Sequence, residues 1–527
     1  MQEWQTDIAV IGGGTGGVAA ALAAAKEGYR VVVTEETDWP GGQLTSQAVP
    51  PDEHRWIESS GATASYLEFR ERVRRYYRDN YPLTDAAASN PTLNPGGGWV
   101  SRLAHEPKVA LRVLQDMLAP YLHSGRIRLL TGAAAISAET EGDRVLSVTV
   151  GAEARKRVRI TADYFLDGTD CGDLLELTGT EYVTGAESRA DTGEPHALEQ
   201  ADPLDMQSIT WVGAVDYIEG GDFTIPRPAA YDFWKTFVPD FSEFPILSWY
   251  ATDSNDTTKT KEFTLFPVPE GTTPLWTYRR IVNPGIFRIP LFDGPATLLN
   301  WAQNDYYTLP IIGPGVTAGE RLDRLEESRQ LTLSLVYWLQ TEAPRPDGGA
   351  GWPGIRLRGD LLGTEDGLAK APYIRESRRI KALYTVTEHD VSRELRGERG
   401  IKRYEDSVGV GSYSLDLHPT TVSQRTFYIP NYPYEIPLGS LIPERVVNLL
   451  PACKNIGTTQ IANGCYRLHP TEWNIGESAG LLAAYSLRAG VSPRGVHDGP
   501  EHRGAYLALL ERCGVQRHWP EGTEDEL

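Results

Sequence analysis

Ile8-Ala9-Val10-Ile11-Gly12-Gly13-Gly14-Thr15-Gly16-Gly17, near the N-terminus, is the stretch that decides the fold. Its first four residues are typical of a buried parallel strand, and the alanine-rich run 18–25 is typical of a helix. A second apolar run, Val31-Val32-Val33, leads to Glu35. Strand, glycine turn, helix, strand and acidic residue follow one another within about 30 residues, which is the order of a dinucleotide-binding unit.

Each part of this unit has a physical role in holding a dinucleotide. Gly12 allows the tight turn, Gly14 lets the backbone approach a pyrophosphate, and Gly17 lets the helix pack closely on the strand. The start of the helix presents unpaired N–H groups to the phosphates. A carboxylate after the second strand can accept hydrogen bonds from ribose hydroxyls. The predicted cofactor-binding residues of the unit are Gly12, Gly14, Thr15, Gly16, Gly17, Glu35 and Glu36.

The composition of the chain is that of a soluble globular protein. It has 527 residues, 40% hydrophobic and 23% charged, which is enough for two or more domains. A net charge of −20 disfavours nucleic acids and anionic membranes as partners. The acidic start of the chain is unlike a signal peptide. None of the four cysteines has CxxC spacing, so we expect reduced thiols, no metal site and a cytoplasmic location.

Three further segments decide between NAD and FAD. Gly41-Gly42-Gln43 follows the acidic residues and resembles the glycine-pair loop that passes the flavin in glutathione-reductase-like flavoproteins, where backbone contact with a flat ring needs residues without Cβ; a simple turn is the plain alternative. Asp167-Gly168 follows an apolar strand at 164–166 and resembles the segment at which the chain of these flavoproteins returns to the FAD domain, with Asp-Gly in place of Ala-Thr. The resemblance implies that Gly41, Gly42, Gln43, Asp167 and Gly168 bind the cofactor. The segment 466–485 predicts a helix that begins near Asn474 and includes Gly476. Its positive end would face the flavin, or its small residues would pack it against the first helix; these interpretations are compatible.

These segments together resemble the FAD-dependent oxidoreductase family, which is related to fumarate-reductase-like and glutathione-reductase-like flavoproteins. The other matching stretches are residues 34–39, 98–101, 371–379, 406–409, 436–443 and 467–480. The resemblance implies an α/β fold, in which a Rossmann-like FAD-binding domain with a parallel sheet and a β-meander is interrupted by a large α+β substrate domain. We expect the FAD-binding domain at 1–180 and 436–500, the inserted domain at 181–435 and a C-terminal tail at 501–527.

The secondary structure between these segments is predicted from hydrophobic pattern. We expect helices at 62–83, 105–124 and 318–343. Residues 127–130, 145–150 and 157–160 are predicted to be strands of the meander.

Two departures from related flavoproteins bear on the cofactor. Residues 36–40 contain no histidine that could attach FAD covalently, so we predict non-covalent FAD. The chain has neither a redox CxxC nor a second GxGxxG, so no built-in NAD(P)H site is predicted.

His54, Tyr373 and Arg375 are the first candidates for catalysis. His54 lies just after the glycine-pair loop and has a pKa suited to proton transfer near pH 7; alternatively, residues 52–54 simply start a helix. Tyr373 and Arg375 would share one face of an extended segment. Arg375 could bind a substrate carboxylate or polarise a carbonyl, or it could form a structural ion pair with Glu376 or Glu388.

His418 and His469 complete the catalytic candidates. Each precedes a proline, which favours extended backbone. His469 lies seven residues before Gly476, and we therefore expect it close to the flavin ring. Glu472 and Asn474 lie at the predicted helix start, where capping is the plain alternative.

The sequence therefore predicts hydride transfer between a small organic substrate and FAD. A polyol, a sugar or a natural product is the expected substrate, with dehydrogenation of a C–OH, C–N or C–C bond. The electron acceptor, O2 or another carrier, and the oligomeric state stay open. A flavin monooxygenase and a non-catalytic or regulatory FAD-binding protein are the alternatives.

Overall fold

The computed structural model describes residues 1–152, 156–268 and 273–526. Residues 153–155, 269–272 and 527, which the predicted domains include, lie outside the described residues. The β-strands, in chain order, are β1 (Gln2–Gln5), β2 (Ile8–Ile11), β3 (Val31–Glu35), β4 (Ile127–Thr131), β5 (Ala134–Glu141), β6 (Arg144–Ala152), β7 (Lys156–Thr161), β8 (Tyr164–Asp167), β9 (Tyr182–Val183), β10 (Ile209–Thr210), β11 (Gly213–Tyr217), β12 (Tyr250–Asp253), β13 (Asp256–Thr264), β14 (Thr273–Pro274), β15 (Arg280–Val282), β16 (Ala296–Leu299), β17 (Asp305–Tyr306), β18 (Ile355–Leu357), β19 (Tyr373–Ile374), β20 (Arg379–Ile380), β21 (Ser407–Gly411), β22 (Leu415–Leu417), β23 (Phe427–Ile429), β24 (Tyr434–Pro437) and β25 (Leu449–Pro451). The α-helices are α1 (Thr15–Lys26), α2 (Ala64–Asn80), α3 (Asp85–Ser89), α4 (Pro107–His123), α5 (Asp173–Thr178), α6 (Arg189–Thr192), α7 (Tyr231–Thr236), α8 (Leu275–Tyr278), α9 (Ala318–Thr341), α10 (Gly359–Leu362), α11 (Glu388–Val391), α12 (Arg393–Arg396), α13 (Gln460–Tyr466), α14 (His469–Ala489), α15 (Pro493–Asp498) and α16 (Pro500–Arg512).

A five-stranded parallel sheet forms the centre of the fold, in the order β25-β8-β2-β3-β4. Successive side chains of a strand point to opposite faces. Ile8 and Val10 of β2 accordingly pack with α1 and α14, whereas Ala9 and Ile11 pack with the neighbouring meander. Both faces of β2 are covered, which explains why β2 is apolar throughout.

The β-meander consists of β5, β6 and β7 in antiparallel order, and β1 joins β7 in parallel. The predicted strands at 145–150 and 157–160 are confirmed as parts of β6 and β7. The assignment of 127–130 to the meander is wrong, because β4 pairs in parallel with β3 and is the edge of the central sheet. The strand β5 supplies the meander instead. The predicted Rossmann-like sheet with a meander is confirmed.

Helix α14 packs directly on α1 through glycine. It begins at His469, five residues earlier than predicted, with Pro470 in its first turn, where proline is compatible with a helix. A Cβ atom added to Gly476 would lie 1.9 Å from the carbonyl oxygen of Gly16. The packing interpretation of the small residues is therefore confirmed.

The middle of the chain has its own aromatic core. Trp234, Trp276, Trp301 and Trp338 are buried there among aliphatic side chains. Its sheets include the antiparallel β15-β16-β11-β18 and β17-β10-β19, and α9 confirms the helix predicted at 318–343. The α+β character predicted for the insertion is confirmed.

The segment predicted as a C-terminal tail begins with α16. The hydroxyl of Tyr506 on this helix donates to the carbonyl of Ser478 on α14, at 2.8 Å. The segment thus packs on the helix that covers α1. Among the described helices, none combines the length and apolar character needed to cross a bilayer.

Candidate active site

The glycine turn after β2 meets the end of β8. Gly12 has φ +96°, and a Cβ there would lie 2.3 Å from the carbonyl carbon of Gly168. The glycine-pair loop approaches the same turn, because a Cβ on Gly42 would lie 2.9 Å from Cα of Gly14. Helix α1 begins at this point without a side-chain cap and without an acidic residue in its first turn. Backbone N–H groups at the carboxyl edge of a parallel sheet form a phosphate site.

Glu35 ends β3 beside this turn. The backbone N–H and the hydroxyl of Thr37 donate to its Oε1 at 2.9 and 2.8 Å. Burial raises the pKa of the Glu35 carboxyl to about 8, despite these two hydrogen bonds. The neighbouring Glu36 is exposed. Glu35 is therefore placed where the ribose-binding acid of a dinucleotide site stands.

A buried polar network connects the segments around the glycine turn. The Lys454 amine is fully buried and lies 2.8 Å from Asp170 and 3.9 Å from Glu472. Gln47 donates to Asp170 at 2.6 Å, and Gln43 donates to Glu472. Burial alone lowers the pKa of Lys454, but the two carboxylates hold it above its ordinary value. Burial raises the pKa of Glu472 to about 7.

Three buried acceptors in this region lack a partner among the described residues: Oε1 of Gln43, Oε1 of Gln47 and Oδ2 of Asp167. Buried acceptors are normally hydrogen-bonded, so these atoms suit a ligand that brings N–H and O–H donors. Together with the glycine cradle, they fit a dinucleotide cofactor. The residues that would hold it are those of the 12–17 turn, Glu35, Gln43, Gln47, Asp167 and Lys454.

Asn474, predicted to bind the cofactor, has a packing environment instead. Its Nδ2 donates to the carbonyl of Val408 at 3.0 Å, and its Oδ1 accepts from the N–H of Val410 at 3.3 Å. Asn474 thereby fixes β21 against α14. Gly476 and Gly16 likewise lie in the contact of α14 with α1. The cofactor role of these three residues stays a prediction, and their contacts within the chain are structural.

His469 is fully buried and holds a loop in place. Its Nδ1 accepts from the N–H of Asp52 at 3.2 Å, and its Nε2 faces the carbonyl of Val49 at 3.1 Å. These partners fix a neutral ring that carries its proton on Nε2. Burial lowers the pKa of His469 to about 4. The side chain therefore positions residues 49–52.

His54 is also enclosed by protein. Its Nε2 lies 3.0 Å from the carbonyl of Gly61, and its ring packs against Trp56 and Trp519. Burial lowers the pKa of His54 to about 4. Neither His54 nor His469 is among the described residues that line the cavity considered next.

A cavity of about 240 Å³ lies against the aromatic core of the middle region, which contributes Leu275, Trp301 and Tyr307 to its lining. Its polar lining includes Asp52, Arg279, Asp305, Asp416, His418 and Arg467. The predicted Tyr373 and Arg375 also line it. Three of the five predicted catalytic residues therefore meet in one place.

His418 lies between two carboxylates in this cavity. Its Nδ1 is 2.7 Å from Asp305 and its Nε2 is 3.3 Å from Asp416. Burial on its own raises the pKa of Asp305, but Arg375 and His418 hold it at about 2. The pKa of Asp416 is also lowered, by His418 and Arg467 against the effect of burial. Both carboxylates are therefore ionised at neutral pH, and 29% of the His418 side chain stays exposed.

Arg375 acts on this group through Asp305. Its guanidinium lies 2.9 Å from Asp305 and donates to the hydroxyl of Thr210 at 2.9 Å. The ion pair with Glu376, predicted as the alternative for the arginines of segment 373–379, forms at Arg379, 2.8 Å away, whereas Arg375 pairs with Asp305. Tyr373 accepts a hydrogen bond from Arg467 at 2.7 Å.

The sequence prediction missed Asp305, Asp416, Arg279 and Arg467 as cavity residues. Asp416 and His418 are two positions apart along an extended segment, a spacing that places both side chains on one face. That signal was present in the sequence. Arg279 lies 3.2 Å from Asp52, and nothing in the local sequence indicates this pairing.

Arg467 joins the cleft to the cavity. Gln43, in the glycine-pair loop, donates to the backbone carbonyl of Arg467 at 3.0 Å. The guanidinium of Arg467 lines the cavity and lies 3.4 Å from Asp416. A substrate in the cavity would therefore lie next to the cofactor cleft.

A family model described as FAD dependent oxidoreductase matches residues 7–506, which confirms the predicted family. Hydroxyneurosporene desaturase of Rhodobacter capsulatus is 54% identical over 46 residues, which are 9% of this chain and 9% of the desaturase.

Similar solved structures include quinol fumarate reductase FrdA of E. coli, 11% identical, with 97% of this chain and 74% of that chain covered and a TM-score of 0.33. A geranylgeranyl bacteriochlorophyll reductase-like protein of Thermoplasma acidophilum is 11% identical, with 98% and 85% covered and a TM-score of 0.32. L-proline dehydrogenase from P. horikoshii is 14% identical, with 35% of this chain covered and a TM-score of 0.19; the match spans 24% of that protein.

Proposed function

The chain belongs to the FAD dependent oxidoreductase family, and on that premise we propose that it dehydrogenates a small hydroxylated organic compound. A polyol, a sugar or a hydroxylated natural product is the proposed substrate, and a C–OH bond is the proposed site of oxidation. FAD, the cofactor of the family, supplies the hydride acceptor. The acceptor that reoxidises it is O2 or another carrier.

One observation carries this proposal: His418 and its two carboxylates lie in a cavity that adjoins the cofactor cleft at Arg467. Oxidation of an alcohol to a carbonyl removes the hydroxyl proton and a hydride from the same carbon. The chain must supply a proton acceptor within hydrogen-bond reach of the hydroxyl. The partly exposed His418 is the group in the cavity with this chemistry.

In the proposed mechanism Asp305 orients the ring of His418 through Nδ1, so that Nε2 is directed into the cavity. Substrate hydroxyls displace Asp416 from Nε2, and Asp416 keeps its contacts with Arg467 and the hydroxyl of Tyr413. His418, neutral and with its proton on Nδ1, then accepts the hydroxyl proton at Nε2.

The remaining pair, Asp52 and Arg279, offers both an acceptor and donors to further hydroxyls. Because the charges of Asp52 and Arg279 balance each other, the pair can form hydrogen bonds with a polar ligand that carries no net charge. This supports a polyol or a sugar.

The experiment that tests the function is anaerobic bleaching of the bound flavin with a panel of polyols, sugars, amines and hydroxylated aromatic compounds. We expect an alcohol to bleach the 450 nm band. His418→Asn should slow bleaching by about 10²-fold or more, because general base catalysis contributes about that much. His196→Asn is the matched control, since His196 forms a similar pair with Glu388 outside the described lining of the cavity.

Several results would contradict the proposal. Bleaching by amines alone would show that the enzyme oxidises a C–N bond rather than a C–OH bond. Reduction that requires NADPH, with an oxygen atom gained by the product, would favour a monooxygenase. Bound FAD that no compound bleaches would favour the non-catalytic alternative.

Non-covalent attachment of FAD is a separate part of the proposal. Residues 36–40, before the glycine pair, contain no histidine. Denaturation followed by ultrafiltration should therefore release all of the flavin into the filtrate. Flavin fluorescence that stays on the protein band of a denaturing gel would overturn this part.

A further inference from the structure

Trp99 is a large aromatic side chain held in an exposed position. It is 57% exposed, yet it lines the cavity. A single exposed aromatic side chain is common on a protein surface, but binding pockets are lined mainly by apolar and aromatic side chains. Trp99 belongs to such a lining, and the function proposed above does not use it.

The loop that carries Trp99 is fixed from within by Asn94. The Nδ2 of Asn94 donates to the carbonyls of Gly98 and Ser101 at 3.1 and 2.7 Å. Its Oδ1 accepts from the N–H of Ala104 at 2.7 Å. These bonds close the loop on both sides of Trp99.

The same loop is pressed against the strand β15. A Cβ added to Gly96 would lie 2.3 Å from the carbonyl oxygen of Arg280, so only glycine fits there. The Nε of Arg280 donates back to the carbonyl of Gly96 at 2.7 Å. The N–H of Trp99 donates to the carbonyl of Thr277 at 3.1 Å. The backbone that carries Trp99 is thus fixed, which lowers the entropy cost of using this side chain as a binding surface.

Trp99 and Tyr278 form a pair whose ring centroids are 4.8 Å apart. Tyr278 precedes Arg279, which pairs with Asp52 in the polar part of the cavity. A second pair, Phe244 and Tyr250, is stacked at 4.6 Å and also lines the cavity. Exposed aromatic side chains therefore lie at the mouth of the cavity, and its buried lining combines the charged groups with apolar side chains such as Leu275 and Trp301.

We propose that Trp99 is the stacking residue for a planar apolar part of the substrate, whose hydroxylated part reaches the charged groups of the buried lining. The substrate class is then a hydroxylated compound that carries a planar apolar group, such as an aryl glycoside. This inference rests on the proposed function and refines it. Rings that stack on tryptophan gain free energy beyond the area that they bury.

The test measures binding rather than turnover. The anaerobic holoenzyme is first reduced with dithionite, so that no hydride transfer can follow, and is titrated calorimetrically with 2-naphthyl β-D-glucoside, 2-naphthalenemethanol and methyl β-D-glucoside. In the wild type we expect both naphthyl probes to bind at least about tenfold more tightly than methyl β-D-glucoside. Trp99→Ala should remove most of this advantage, and Trp99→Phe should retain part of it.

Phe233→Ala is the matched control, because Phe233 is 54% exposed and is not among the described residues that line the cavity. It should leave the naphthyl advantage unchanged. Equal thermal midpoints and equal flavin content of the variants verify that they are folded.

The inference is overturned if the wild type binds no naphthyl probe, or if Trp99→Ala binds the naphthyl probes as tightly as the wild type does. Failure of the proposed function has a different signature: naphthyl probes that bind and depend on Trp99, while no alcohol bleaches the flavin.

Discussion

The cofactor cleft and the cavity meet at Arg467, but they are built from different parts of the polypeptide. In the cleft the decisive contacts are made by backbone, as where Gly12 approaches Gly168 and Gly476 approaches Gly16. In the cavity they are made by side chains from distant segments, such as Asp52 with Arg279 and Asp305 with Arg375. A backbone site tolerates few residues at each position, whereas an ion-pair site can be assembled in many ways.

This difference determines how each region responds to substitution. Adding atoms to the cleft forces backbone apart, and the cofactor is lost together with the fold. Changing a cavity residue removes a charge or a proton acceptor while the sheet and its cofactor persist. The four predictions below test this contrast, beginning with the largest effect.

Gly476→Val should cause the largest loss. Even one Cβ at this position would lie 1.9 Å from the carbonyl oxygen of Gly16, so α14 cannot stay on α1. We expect a destabilisation on the order of 4 kcal/mol and loss of bound flavin. Chemical denaturation and the absorbance ratio at 450 and 280 nm measure both.

Gly504→Ala is the control for this substitution. Gly504 lies on α16, and a Cβ there has no neighbour within 4 Å. Alanine should therefore stabilise the protein by about 0.5–1 kcal/mol, since glycine is unfavourable inside a helix. If Gly504→Ala also lost flavin and stability, the effect of Gly476→Val could not be attributed to the close contact between α14 and α1.

Asp305→Asn should cost about 3 kcal/mol at neutral pH, because it leaves the buried Arg375 without its carboxylate. Bound flavin should be retained, in contrast to Gly476→Val. Asp347→Asn, which changes an exposed pair with Arg345, should have no measurable effect. Loss of flavin from Asp305→Asn would contradict the expectation that substitutions in the cavity leave the cofactor bound.

The same carboxyl should make stability depend on pH below 4. The pKa of Asp305 falls from 3.8 to about 2 on folding, so its contribution is complete above pH 4 and is lost as the pH falls through 2. This contribution is about 2 kcal/mol. The difference in unfolding free energy between wild type and Asp305→Asn should therefore shrink by about that amount from pH 6 to pH 2. A difference in unfolding free energy that does not change between pH 6 and pH 2 would contradict an ionised, charge-paired Asp305.

Lys454→Met should have the smallest effect, a roughly tenfold weaker affinity for FAD, or about 1.4 kcal/mol. The substitution leaves Asp170 and Glu472 without their buried cation beside a cofactor that carries phosphates. Isothermal titration of the apoprotein with FAD measures the change. Lys402→Met, at a Lys402–Asp390 pair outside the cleft, should bind FAD as the wild type does. If Lys454→Met and Lys402→Met bound FAD equally tightly, Lys454 would not contribute to cofactor binding.

The cleft could be predicted from the sequence because its requirements are local. The spacing of Gly12, Gly14 and Gly17 between two apolar runs specifies strand, turn and helix within one short segment. The predicted strand 8–11 is found unchanged, and the FAD-dependent family is confirmed. Asp167 and Gly168 were predicted from a resemblance to flavoproteins, and their binding to the cofactor stays a prediction.

The cavity could be predicted only in part, because its pairs join residues that are far apart in the chain. His418 was predicted, but its partner Asp305 is separated from it by 113 residues. His54 and His469 have residue types and positions that suit catalysis, yet each is enclosed by protein. Burial of a histidine depends on elements that pack from elsewhere, such as Trp519 on His54, and no local pattern reveals it.

The position of β25 and α14 has a consequence for synthesis of the chain. Strand β8 receives its neighbour β25 only when residues 449–451 have been made, and α1 is covered only by residues 469–489 of 527. A nascent chain therefore leaves the ribosome with an incomplete sheet and an uncovered first helix for most of its length. Contacts at such sequence separation form slowly. Capture of FAD must therefore follow synthesis of residues 449–489, and until then chaperones would meet an apo chain with an unfinished N-terminal half.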